Sequence, residues 1–164
     1  MTGQAIAQPR GGDLLLYAGR GPIAWWIKVK TWSGVSHCEV ALDDRRSVAS
    51  RDGIGVGRYA RRYDDLAYLL RPWRPINLDA GERWFATVDG QRYDWLGLLV
   101  FYLAAKQGAR DRMFCSEFAT RFYRACGLEP FTERMDADRV APATFLYTPR
   151  FVEVWRRPDM ERKA

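Results

Sequence analysis

Four consecutive apolar residues, Leu14-Leu15-Leu16-Tyr17, follow the turn-forming Gly11-Gly12-Asp13 and predict a short strand. A second strand is predicted over residues 36–42. There the side chains alternate, with His37, Glu39 and Ala41 on one face and Cys38, Val40 and Leu42 on the other. Asp43-Asp44-Arg45-Arg46 reads as a polar hairpin turn, and further strands are expected at 47–50, 53–58 and 67–71. This is the pattern of an antiparallel meander, ended by Pro72 and Pro75. Residues 22–30 predict a short helix carrying Trp25 and Trp26, and Thr31-Trp32-Ser33-Gly34 a loop. An amphipathic helix is expected within 78–90, and an apolar one over 96–105 after Tyr93-Asp94-Trp95. The clearest helix spans 116–126. Cys115 opens it, Phe118, Ala119, Phe122 and Ala125 recur at helical spacing, and Gly127 ends it. A short helix follows Ala141-Pro142, and residues 151–155 read as a last strand. The arm 1–11 and the charged tail 156–164 are expected to be loose. No repeat or linker divides the 164 residues. The expectation is one α+β domain with its core over about 12–155, a small antiparallel sheet or barrel packed against helices.

Net charge is +6, which favours anionic partners such as an acidic polymer or an anionic membrane face. The arginines are scattered, however, and no block of like charge points to a specific nucleic-acid site. Gly53-Ile54-Gly55-Val56-Gly57 lacks the Lys-Ser/Thr of a phosphate loop, so no nucleotide cofactor is expected. Three cysteines without a Cys-x-x-Cys, together with one histidine, fit reduced thiols and argue against a metal site of usual spacing. The apolar run at 96–105 is too short to span a bilayer. The first twelve residues lack the apolar core of a signal peptide, which predicts a cytoplasmic location with non-classical export left open.

The single histidine concentrates the candidate chemistry. A cysteine nucleophile needs a base, and here that base must be His37. Cys115 is the favoured partner. At a helix start, unpaired N–H groups and the helix dipole favour a thiolate and can bind an oxyanion. A buried thiol acting as a small apolar residue is the plainer alternative. Glu39 projects from the same strand face as His37 and can orient the ring. Cys38 points to the opposite face and reads as core. Cys126 lies three turns along the helix, roughly 16 Å from Cys115 at about 1.5 Å per residue. Tyr17, Trp32, Tyr93, Ser33, Ser36 and Ser116 are candidates for lining a substrate pocket.

Four segments in this order carry a resemblance: Gly12-Asp13-Leu14-Leu15-Leu16, Ser36-His37-x-Glu39, Tyr93-Asp94-Trp95-Leu96-Gly97 and Phe114-Cys115-Ser116-Glu117-Phe118. Together they resemble the circularly permuted branch of the NlpC-type papain-like superfamily, within it the YiiX-like cysteine hydrolases. The order of His before Cys is the specific part. The resemblance implies a nucleophile at Cys115, a base at His37 and a third member at Glu39, working by acyl transfer through a thioester without a cofactor. It implies cell-wall peptides as substrate. Relatives of the lecithin:retinol acyltransferase type suggest a lipid or ester acyl substrate instead, and a non-catalytic binding module is a further alternative. Oligomeric state is left open.

Overall fold

The computed structural model describes residues 6–92 and 113–160. The apolar helix expected at 96–105 and the candidate Tyr93 lie outside the described residues. So does the Tyr93–Gly97 motif.

Six strands form one antiparallel sheet: β1 (Leu14–Tyr17), β2 (His37–Ala41), β3 (Arg46–Arg51), β4 (Gly55–Ala60), β5 (Leu66–Pro72) and β6 (Phe151–Arg156). Their spatial order is β4-β3-β2-β1-β5-β6, so among the described residues the strands form an open sheet and not a closed barrel. β1 sits near the centre, which explains its unbroken apolar run. Leu14 and Leu16 face the main core with Cys38 and Val40. Leu15 and Tyr17 join Ala41, Leu66, Leu69 and Trp155 on the other side. A strand covered on both faces loses the alternation that a half-exposed strand keeps.

Three α-helices are described: α1 (Pro22–Thr31), α2 (Leu78–Val88) and α3 (Cys115–Ala125). α3 packs on β2, β3 and α2. Its buried Phe118 and Phe122 meet Trp84 and Phe85 of α2 in tilted and edge-on ring contacts, centroids 5.6–6.4 Å apart. The helix ends at Gly127, φ 80°, with Leu128 N–H donating to the Tyr123 carbonyl and Gly127 N–H to that of Arg124. The buried Tyr123 hydroxyl donates to the Gly12 carbonyl at 2.9 Å, fixing α3 to the start of β1.

Two expectations need correction. β4 begins at Gly55 rather than Gly53, because Gly53 lies in the turn before it with a positive φ of 73°. The tail is not loose as far as Met160: residues Pro158–Met160 form a 3-10 turn, Tyr68 donates to the Met160 carbonyl, and Met160 packs on the main core. No helix among the described residues is long and apolar enough to cross a membrane.

Candidate active site

Cys115 is the first residue of α3, after an N-cap, Phe114, that makes no side-chain capping bond. The positive end of the helix dipole therefore lies at the thiol. Two clamps hold this helix start. Ser50 of β3 donates to the Met113 carbonyl at 2.5 Å, two residues before the thiol. Ser116 donates to the Val140 carbonyl at 2.5 Å. Ser116 is thus fully buried and structural, and does not face a substrate. Glu117, whose charge would oppose a thiolate, is ion-paired with Arg121 at 2.7 Å.

His37 opens β2, opposite Tyr17 of β1. The Tyr17 ring lies against the imidazole, centroids 5.9 Å apart. Tyr17 is completely buried and donates to the Arg62 carbonyl at 3.2 Å, so it supports the ring from beneath and is out of reach of a substrate. Nε2 of His37 lies 3.2 Å from Oε1 of Glu39. That leaves Nδ1 for the thiol of Cys115, with which the ring shares a hydrogen bond and a charge interaction.

Glu39 is fully buried and strongly held. Nε of Arg51 donates to its Oε1 at 2.8 Å, and a terminal nitrogen of the same guanidinium is ion-paired with that oxygen at 2.8 Å. The Ser47 hydroxyl donates to Oε2. Arg51 in turn lies over the Tyr59 ring, 4.0 Å from its centroid. Burial disfavours the Glu39 carboxylate, but His37, Arg51 and Ser47 outweigh it and lower its pKa to about 2.

The charges reinforce one another. Burial disfavours the imidazolium, yet Cys115 and Glu39 together lift His37 to about 9. Cys115 falls well below its usual range. The largest cause is a hydrogen bond from the Cys38 thiol; burial opposes it, and His37 adds to it. Cys38 moves the other way, raised first by burial and then by its neighbour. These opposed shifts favour a thiolate–imidazolium pair, with the Cys38 thiol as a donor beside it.

Cys38 sits in the core as expected and in addition touches Cys115. It is buried and faces the core, as its place in the alternation requires. That core face is also the one α3 covers, so its sulfur meets Cys115. Cys126 matches its expectation: it packs with Gly81 of α2 at the far end of α3.

A cleft of about 550 Å³ opens at His37 and Ser36. Arg51, Asp52 and Ile54 line one wall, and Gly19, Arg20, Pro22, Ala24 and Ile27 line another. Ser36 reaches the cleft but spends its hydroxyl on the Ala18 carbonyl at 2.9 Å. Trp32 lies at the far end of α1, 95% exposed and outside the cleft lining. Ser33 turns back to the Val35 N–H. The sequence reading missed Arg51, Ser47 and Asp52. Arg51 and Ser47 reach Glu39 only through the β2–β3 register, which no local pattern announces. Asp52 senses both members of the dyad, its carboxyl raised by burial and by Cys115 and lowered by His37.

Comparison with solved structures adds the fold. It is YiiX-like. The crystal structure of the metalloprotein YiiX from Escherichia coli O157:H7 aligns with a TM-score of 0.60 at 14% identity, over 92% of this chain and 99% of that one. No family model and no curated protein matches the sequence. At that identity the likeness to YiiX is one of architecture, and the roles of residues rest on this chain's own geometry.

Proposed function

We propose that this protein is a cysteine hydrolase cleaving amide bonds through a thioester, with cell-wall peptides as its substrate class. In this reading the sheet and α3 are a circularly permuted papain-like arrangement, with the histidine strand preceding the cysteine helix. One observation carries it: a helix-start thiol meets the chain's one imidazole, and a buried carboxylate holds that ring.

The steps follow from the charges. The Cys115 thiolate attacks the carbonyl carbon. The tetrahedral oxyanion is stabilised by backbone N–H groups at the start of α3. His37, protonated, gives its proton to the departing amine, and a thioester remains. Neutral His37 then takes a proton from water, which attacks the thioester and releases the acid. Glu39 fixes the tautomer and steadies the charged ring throughout.

YiiX is a metalloprotein, but the donors here do not suit a resident cation. Among the described residues no group of three or more His, Cys, Asp or Glu side chains could hold one. Glu39 is covered by Arg51, and a guanidinium on a carboxylate disfavours a second cation. No step is routed through a metal.

The apolar residues at the cleft rim favour a second reading, an ester or lipid acyl hydrolase or acyltransferase. Mass spectrometry of peptidoglycan fragments and phospholipids, incubated with wild type and Cys115→Ala, separates the two. Amide cleavage lost in the variant supports the first; deacylation lost in the variant supports the second. No thiol-dependent product from either pool contradicts both.

A further inference from the structure

Helix α1 turns more apolar surface outward than its packing uses. Trp25 is 63% exposed, Val29 48% and Trp32 95%. Spaced four and then three residues apart, they lie on one side of the helix, while Ala24 and Ile27 pack inward. Trp32 ends the helix in the left-handed conformation, φ 48°. Glycine takes that conformation freely and tryptophan does not, so the turn does not account for the indole. Across the cleft, Ile54 is 71% exposed. It lines the same cleft as Pro22, Ala24 and Ile27 of α1. Single exposed apolar side chains are ordinary. A row of them beside a cleft, answered by another on the opposite wall, marks a docking surface.

Charge selects the occupant. Residues 18–36 contain Arg20, Lys28 and Lys30 and neither Asp nor Glu. The Arg20 side chain is 83% exposed, and its ion-pair partner at 3.0 Å is Asp65, on the cleft wall. Arg62 adds a further cation there, and Asp52 is the other acid lining the cleft. Indoles beside cations, on an element without acids, match the boundary of an anionic bilayer. Tryptophan settles at the headgroup level, and nearby Lys and Arg are drawn to acidic lipid.

We propose that the outer face of α1, with Ile54 opposite it, docks the protein on an anionic lipid bilayer and sets the cleft mouth at the headgroups. This surface goes beyond the acyl-transfer reading and does not depend on it. Vesicle binding without hydrolysis would overturn that reading alone; hydrolysis without vesicle binding would overturn this one alone.

The test is co-sedimentation of the full chain with vesicles of phosphatidylcholine, with and without phosphatidylglycerol. Binding should require phosphatidylglycerol and weaken as salt is added. The double variant Trp25→Ser/Trp32→Ser should bind at least about tenfold more weakly. Both indoles are exposed, so the variant should keep the wild-type melting temperature and the wild-type rate of Cys115 alkylation. Should the double variant unfold, Ile54→Ser alone should weaken binding. Equal binding by folded wild type and variant overturns the proposal, as does indifference to phosphatidylglycerol. So does a wild-type dimer by light scattering that the variant abolishes while wild type ignores vesicles, because the face would then join two copies of the chain.

Discussion

Replacing Cys115 by Ala should change the titration of His37, and the size of the change follows from its surroundings. In the wild type the ring rises from an ordinary 6.5 to about 9. That corresponds to about 3 kcal/mol in favour of the charged ring at about 1.4 kcal/mol per pH unit. Burial pulls against this value, so the neighbouring charges supply more than the net rise. Cys115 is the largest of the raising influences, ahead of Glu39. Without it, burial is opposed chiefly by Glu39, with Asp52 adding a weaker charge interaction, and the midpoint should fall by at least about one pH unit. The chain has one histidine, so its imidazole resonances in an NMR titration need no assignment. Cys115→Ser serves as the isosteric companion, since its hydroxyl stays neutral across the range. A wild-type midpoint at or below 6.5 would refute the reasoning. So would midpoints that agree within a few tenths among the three proteins.

Four further outcomes follow. Glu39→Gln should destabilise the fold by about 3 kcal/mol, because Arg51 is left without its buried carboxylate; it should slow hydrolysis less than loss of Cys115 or His37, as denaturation midpoints and rates would show. The Glu39 pKa is depressed, so its contribution is full above about 4.5 and is lost as pH falls through about 2; wild-type stability should decline across that window and the Glu39→Gln protein should lack this part of the slope. Cys38→Ala should move the acid limb of Cys115 alkylation to higher pH, since it removes the thiol donor; an unmoved limb would contradict the contact. Gly81→Ala should lower the melting temperature, because the added methyl would lie 2.3 Å from Cys126 Sγ and 2.8 Å from Phe122; overpacking costs about 1–3 kcal/mol and outweighs the roughly 1 kcal/mol gained in helix propensity.

β2 and α3 were legible because each carries its own period, and β1 because an apolar run follows a turn. Residues 37–41 alternate, and Phe118, Ala119 and Phe122 recur along one helix face. The central place of β1 was not legible, since its pairings with β5 and of β5 with β6 join segments far apart in sequence. In the site, the helix-start position of Cys115 and the spacing of His37 and Glu39 were visible along the chain. The salt bridge from Arg51 was not, because it depends on how β3 is registered on β2. Alternation placed Cys38 on the core face correctly but could not say that α3 brings its sulfur there. Tyr17 and Ser116 were read as lining residues because aromatic and hydroxyl side chains near a nucleophile suit that task. Burial and bonding to Arg62 and Val140 give them a supporting one.

The pH dependence of iodoacetamide alkylation at Cys115, followed by peptide mass spectrometry in wild type and His37→Ala, addresses the thiolate–imidazolium pair most directly. The pair predicts rapid labelling at Cys115 that holds level well below pH 8, with Cys38 and Cys126 slow, and an acid limb that moves up toward the ordinary thiol range when His37 is removed. Labelling of Cys115 that climbs through pH 8 to 9 like a free thiol, and does so identically in both proteins, would contradict it.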